Sequence, residues 1–272
     1  MSDYGLTDEY VAVCKAVMGK IAPHAAILDI SHSIRPFAIR EAAVVLSRAV
    51  PFMPRAVHLA VVDPGVGSAR RAIAVRASAG SILVGPDNGL LRPALMQLGG
   101  AEECRELANP DLMLPETSST FHGRDIFAPI AGHLAEGIDL EEVGPSIDVG
   151  SLVQLSLGDS RPDGDHLHAE VLHIDAFGNV QISVRTAELP AAGIVPGTSY
   201  EVRLSDLWLT ATYERTFASV PEGEWVLTED SSGWLSLSIN GGDAGLTLRI
   251  EVGDGVLLGP PGFSCVERHR VP

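Results

Sequence analysis

The chain is short of cysteine, short of cations and without a long apolar run. Its 272 residues include three cysteines, Cys14, Cys104 and Cys265. They are far apart and odd in number, with no CxxC or Cys/His cluster, so neither a disulfide framework nor a zinc site is suggested. Nineteen Lys and Arg face 35 Asp and Glu, a net charge of −16. No basic face is available for phosphate contacts, which argues against nucleic-acid binding. The charge is compatible with a cationic small-molecule substrate, although acidic surfaces also simply aid solubility. No signal peptide and no bilayer-length apolar stretch occur, so a soluble cytoplasmic protein and no membrane partner are expected. GxGxxG, P-loop and GxSxG signatures are missing too. What is present is a core-forming composition, 46% apolar and 20% charged, at a length with a prior of about two domains.

One stretch organises the rest: Val61-Val62-Asp63-Pro64-Gly65-Val66-Gly67-Ser68-Ala69-Arg70-Arg71. The preceding residues 56–62 are largely apolar and read as a buried strand of a parallel sheet. Asp63 stands at the carboxyl end of that strand, the edge where open α/β sheets bind ligands. Pro64, Gly65 and Gly67 force a tight loop, with Arg70 just beyond it. A structural Asp–Arg bridge and a reactive carboxylate are both open readings here.

In chain order, Thr7 is a plausible helix N-cap with Asp8 and Glu9 in the first turn, before apolar residues at helical spacing (Val11, Cys14, Met18, Ile21). Residues 26–30 read as a short strand, with Ser31-His32-Ser33 at its end. Residues 40–50 read as a helix, 72–76 and 81–84 as strands, 90–98 as a helix. The loop Ser118-Ser119-Thr120-Phe121-His122-Gly123-Arg124-Asp125 feeds a helix over 126–136 that Gly137 stops. This alternation predicts a three-layer α/β domain with a mostly parallel sheet over 1–157. A polar linker is expected over 158–166. Strand-like runs at 168–174, 179–184, 200–204, 224–227, 234–239 and 246–252 predict an all-β barrel over 167–272.

Three loops of the first domain carry polar sets: Asp63 with Arg70, Asp87 with Asn88, and His122 with Arg124 and Asp125. Loops at one sheet edge can converge on one pocket. Asp3 is placed to take a ribose diol or is a plain tail residue. Asp175-Ala176-Phe177-Gly178-Asn179 and Asp230-Ser231-Ser232-Gly233-Trp234 read, on pattern alone, as hairpin turns.

Together these stretches resemble the adenosine-forming S-adenosyl-L-methionine (SAM) hydrolases, or SAM hydroxide adenosyltransferases, relatives of fluorinase and chlorinase. The resemblance rests on Ser2-Asp3-Tyr4-Gly5, Val62-Asp63-Pro64-Gly65-Val66-Gly67, Gly85-Pro86-Asp87-Asn88-Gly89, Phe121-His122-Gly123-Arg124-Asp125, Ile174-Asp175-Ala176-Phe177-Gly178-Asn179 and Ser231-Ser232-Gly233-Trp234. It implies a homotrimer with active sites at subunit interfaces, SAM as substrate and no cofactor. Asp63, Arg70 and His122 match the catalytic set. Asp3 matches the residue holding the ribose diol, and Asp175 and Ser231 those holding the methionine amino and carboxylate groups. Phe177, Phe217 and Asn179 match positions around adenine. Asp8, Asp87, Asn88 and Trp234 complete the candidate substrate set. Halogenases lack the aspartate and histidine at the Asp63 and His122 positions, so water is the expected nucleophile. The alternatives are a SAM halogenase and a non-catalytic adenosine- or SAM-binding protein.

Three departures stand out. The family normally has a strand before the Asp3 motif, so either an upstream start or a sheet short of a strand is expected, with unpaired backbone beside the gap. Ile239 replaces an adenine-side arginine of the halogenases. Gln181-Ile182-Ser183 replaces a more usual Thr-Asn pair. The implied reaction is in-line displacement at ribose C5′. Asp63 cannot deprotonate water beforehand, because about 12 pKa units, on the order of 16 kcal/mol, separate them. Arg70 supplies a permanent positive field and His122 orients the water or accepts its proton.

Overall fold

Alternation along two strands sets the first layer structure. In the run 72–77, Ile73, Val75 and Ala77 enter one core cluster while Ala72 and Ala74 enter another, as the two faces of a pleated strand require. The same split places Ala60 and Val62 on one side and Val61 on the other. The computed structural model describes residues 1–158, 160–205 and 207–262. The chain divides into two units, Met1–Leu155 and Ser156–Pro272.

The first unit runs α1 (Tyr10–Ile21), α2 (Ile39–Ala49), β1 (Val57–Leu59), β2 (Ala72–Ala77), β3 (Ile82–Pro86), α3 (Arg92–Gln97), β4 (Ala101–Glu106), α4 (Ala128–Glu136) and β5 (Ser146–Ile147). The sheet order is β1-β3-β2-β4-β5. Leu46 of α2 and Leu95 of α3 pack on one face; Met18 of α1 and Ile130 and Leu134 of α4 pack on the other. The three layers are therefore present. The sheet is mixed rather than mostly parallel. Only β1 and β3 pair in parallel, together with an isolated parallel bridge from Ser2 to Val61, while β2–β3, β2–β4 and β4–β5 are antiparallel. The reason is local: β2 returns into β3 through a tight turn closed by Ala77 N–H to Ser81 C=O and Gly80 N–H to Ala77 C=O. A connection that short permits only an antiparallel pair.

Two local expectations are corrected and one strand is new. Helix α1 starts at Tyr10 behind Glu9, with no side-chain cap, so Thr7 does not cap it and Asp8 lies outside its first turn. Residues 26–30 form no strand; Ile27 and Leu28 are exposed. They and β1 line a common cavity of about 570 Å³, with Cys14 and Met18 on its wall, and a run without a ladder partner on either side stays irregular. The charged run that forms β4 had no strand-like pattern at all.

The second unit runs β6 (Arg161–Asp163), β7 (His166–Ile174), β8 (Val180–Arg185), β9 (Thr198–Leu204), β10 (Leu207–Tyr213), β11 (Trp225–Glu229), β12 (Trp234–Ile239), α5 (Ala244–Leu248) and β13 (Gly255–Gly259). β13 pairs with both β7 and β9, closing a seven-stranded barrel, and β6 lies beside β7. All pairings are antiparallel except β10–β11. Val171, Val180, Ile182, Val202, Leu227 and Leu237 fill its interior. The expected linker at 158–166 thus contributes a strand. The strand expected at 246–252 is instead helix α5. Asp243 caps that helix by accepting the Leu246 N–H at 2.7 Å, and Arg249 ends it in the left-handed region. A capping carboxylate outweighs a short apolar run when no ladder is in reach. Cys265 and the rest of 263–272 lie outside the described residues; Cys14 and Cys104 are buried thiols.

Candidate active site

The organising strand delivers Asp63 to the end of its run and the loop returns Arg70 onto it. Asp63 C=O accepts the Val66 N–H and Gly65 C=O accepts the Ser68 N–H, two successive turns. Ser68 Oγ then accepts the Arg70 N–H at 3.2 Å. Arg70 Nε donates to Asp63 Oδ1 and Oδ2 at 3.0 and 2.9 Å, and Nη2 donates to Oδ2 at 2.6 Å. The side chains are 11% and 6% exposed, so the pair is shielded from water and its attraction little screened.

His122 comes from 52 residues further along, yet Arg70 Nη2 donates to its Nδ1 at 2.6 Å. A guanidinium has no acceptor, so Nδ1 must be the acceptor nitrogen and the ring proton sits on Nε2. Burial, and then the Arg70 charge, hold the imidazole below its ordinary pKa. Both fit a neutral ring whose Nε2–H is a donor. The two loops meet at Gly67. Its φ is 75°, and an added Cβ would stand 2.4 Å from the Ser119 carbonyl oxygen. Only glycine permits that approach.

Behind His122 the chain takes one π-helical turn, Gly123–Phe127, before α4. Such turns are uncommon and cluster at functional sites. Asp125 in this turn is wholly buried. It accepts the Ser118 N–H at 2.8 Å and two Arg124 bonds at 2.6 and 3.0 Å. It thereby ties both ends of the His122 loop, while Phe127 packs its ring 5.2 Å from the Arg70 guanidinium carbon. Neither Asp125's anchoring nor Phe127 was singled out in the sequence. The acidic side chain next to an Arg in a polar loop was the available signal.

The remaining first-unit residues divide. Asp3 is half-buried, and its Oδ2 accepts the Phe37 N–H at 2.9 Å. Phe37 itself holds φ 67° with a 70% exposed ring, an uncommon conformation for a bulky residue. Asp8 is exposed. Asp87 has both oxygens taken within the chain, Oδ1 by the Val153 N–H at 3.0 Å and Oδ2 by Arg71. Asn88 donates to the Val62 carbonyl at 2.8 Å and accepts the Leu90 N–H. These two brace the strand end beside Asp63. None of Asp63, Arg70 and His122 lines the cavity beside β1.

In the second unit, Asp175 accepts the Phe177 and Asn179 N–H groups at 2.9 Å each and the Asn179 side-chain amide at 2.8 Å. This folds the hairpin so that Phe177 stands 80% exposed at its tip. Asp230, not singled out from sequence as a ligand, does the same work in the second turn, accepting Ser232 and Trp234 N–H groups at 2.7 and 3.0 Å. Gln181 Nε2, on β8, donates to Asp230 Oδ2 and ties that strand to the second turn. Ser231 is exposed at the turn tip. Trp234 carries the Arg185 guanidinium 3.6 Å over its ring. It lines a hollow of about 650 Å³ with Arg185, Glu188 and His166, away from Asp175, Phe177 and Asn179. Phe217 is 45% exposed in its own helical turn, and Ile239 packs against the barrel core.

Models of two protein domains match this chain: the SAM hydroxide adenosyltransferase N-terminal domain over residues 1–144 and the C-terminal domain over 169–257. A protein of Salinispora arenicola named (R)-S-adenosyl-L-methionine hydrolase is 44% identical, covering 93% of this chain and 94% of its own length. A fluorinase of Actinopolyspora mzabensis is 31% identical over 88% of this chain and 89% of its own length. A crystal structure of an uncharacterized conserved protein from Thermotoga maritima superposes with a TM-score of 0.88 at 36% identity, covering 95% of this chain and 98% of that one. Among the described residues no helix is long and apolar enough to cross a membrane. With both domain models matched in order and the Asp63–Arg70–His122 cluster assembled in one place, the chain belongs to the SAM hydroxide adenosyltransferase family.

Proposed function

We propose that the protein hydrolyses SAM to adenosine and L-methionine, with water attacking ribose C5′ opposite the sulfonium. The observation that carries this reading is the neutral His122 held on Arg70 with Asp63 behind it. SAM is the substrate and brings its own leaving group, so the proposal needs no cofactor. The C5′–O bond forms as the C5′–S bond breaks, and its electron pair neutralises the sulfur of methionine. The added oxygen then sheds one proton. Because removing it from free water beforehand costs on the order of 16 kcal/mol, it leaves after the bond to carbon has formed. His122 Nε2–H is a donor and grips an oxygen lone pair, turning the other toward carbon. Arg70, held by Asp63, donates to Nδ1 and so fixes the tautomer and orientation that aim the His122 Nε2–H at that oxygen. Asp63 fixes the guanidinium, and its Oδ1, which accepts only the Arg70 Nε–H, keeps a lone pair for the departing proton. Holding the oxygen about 3–3.5 Å from carbon and in line supplies the proximity term.

Asp3 holds the ribose diol in this reading, with Oδ1 free. Asp175, Ser231, Phe177, Asn179 and Phe217 serve methionine and adenine from the second unit. The resemblance supports a homotrimer, in which these residues come from a neighbouring subunit. Asp63→Ala and His122→Ala are each expected to abolish adenosine formation while SAM still binds. Chromatography of adenosine and methionine checks the first part, calorimetry the second. Full turnover in either variant removes that residue from the mechanism. Added chloride or fluoride is expected to leave the products unchanged; a 5′-halo-5′-deoxyadenosine would make the protein a halogenase instead.

A further inference from the structure

A chain of polar contacts outside the Asp63 cluster ends beside Asp3. Lys15 Nζ donates to Asp29 Oδ2 at 2.6 Å, and His32 Nε2 lies 3.1 Å from Asp29 Oδ1. His32 Nδ1 lies 2.8 Å from Ser2 Oγ, and that oxygen accepts the Tyr4 N–H at 3.3 Å. With a neutral ring, the direction of every bond follows from the ends. Lys15 and the Tyr4 amide can only donate and Asp29 accepts. So the His32 ring proton sits on Nε2, and Ser2 donates its hydroxyl proton to Nδ1. Burial holds His32 below its ordinary pKa, in keeping with a neutral ring. Ser2 is 4% exposed, and a buried hydroxyl without its partner is costly.

The same short segment grips the backbone on either side of Asp3. Ser31 C=O accepts the Ser2 N–H at 3.1 Å and His32 C=O accepts the Gly5 N–H at 2.8 Å. Five residues beyond His32, Phe37 N–H fixes Oδ2 of Asp3. Asp3 is therefore set from one direction by residues 31–37.

We propose that His32 is a positioning residue for Asp3: its ring, through Ser2, and its carbonyl, through Gly5, hold the backbone that aims the Asp3 carboxylate at the ribose diol. The inference rests on the ribose reading of Asp3 given above. His32 touches no substrate itself. Its effect must therefore appear only with ligands that carry the diol.

The test is calorimetry of the full-length protein with adenosine and with 2′,3′-dideoxyadenosine. His32→Ala is expected to weaken adenosine binding by about tenfold, as a displaced charge-assisted hydrogen bond does. Binding of the dideoxynucleoside should change by less than about twofold. His32→Asn keeps an acceptor where Nδ1 stands and is expected to restore adenosine affinity. Asp3→Ala should show the same diol-selective loss, and the double variant should be no worse than Asp3→Ala alone. Equal loss of both ligands in His32→Ala, or no loss, overturns the inference. A folded His32→Asn that fails to recover adenosine overturns it as well, and keeps the test decisive if the alanine variant does not fold. If Asp3→Ala loses no diol selectivity, the ribose reading itself falls, a result distinct from the His32 arms.

Discussion

At the scale of single residues the decisive group is His122, because its protonation state follows from what faces it. Arg70 donates into Nδ1. Protonating the ring places a second N–H on that line, against a permanent cation. Burial and Arg70 lower the pKa, while Asp63 and Asp125 oppose them less strongly. For a base whose charged form is disfavoured, the neutral form persists to lower pH. Activity is therefore expected to be level through neutral pH and to fall on the acid side, with an inflection below about 6.5. The pH profile of kcat/KM for adenosine formation measures it. An acid limb centred above 7 would mean that the carboxylates, not Arg70, dominate the imidazole. Asp63 ends an apolar run and Arg70 and His122 stand in polar loops, but it was the resemblance, not the pattern, that grouped the three; in the fold they meet through hydrogen bonds. Asp87 and Asn88 look the same in sequence, and the fold gives them bonds to Arg71, Val153 and the Val62 carbonyl that no local pattern announces.

At the scale of elements the site depends on two loops making one surface. Gly67 is the contact between them, and two independent penalties apply to any side chain there. Its φ of 75° disfavours a Cβ, and the Ser119 carbonyl leaves no space for one. Gly67→Ala is expected to destabilise the first unit by about 1–3 kcal/mol. It should also lower kcat more than it changes SAM affinity, since Arg70 and His122 sit on opposite loops. Urea unfolding and steady-state kinetics check the two halves. Wild-type kcat in the alanine variant would show that the loops are held together elsewhere. Elements with their own period or punctuation were legible: α2, the helix stopped by Gly137, and most barrel strands. Those decided by neighbours were not. β4 is charged and becomes a strand because β2 offers it an edge. Residues 26–30 look like a strand and have nothing to pair with. α5 looks like a strand and is claimed by the Asp243 cap. Sheet direction was misread for the same reason, since the 77–81 turn settles it before any long-range pairing.

At the scale of the whole molecule, composition bears on assembly. Each chain carries a net charge of −16, and like charges repel over a distance set by salt. The screening length is about 8 Å at physiological ionic strength and about 30 Å at 0.01 M. A homotrimer brings three such surfaces together, so repulsion works against it most at low salt. The large rings of Phe37, Phe177 and Phe217 are exposed in the single chain, and burying exposed aromatics is the usual driving force for association. The expected result is a species of three times the 28.7 kDa chain mass at physiological salt, shifting toward smaller species as ionic strength falls to about 0.01 M. Sedimentation equilibrium across a salt series reads the mass, and adenosine formation measured in the same samples should fall with the trimer fraction. A monomer at every salt concentration that still turns over SAM would mean that one chain completes its own site, and would remove the neighbouring subunit from the proposal.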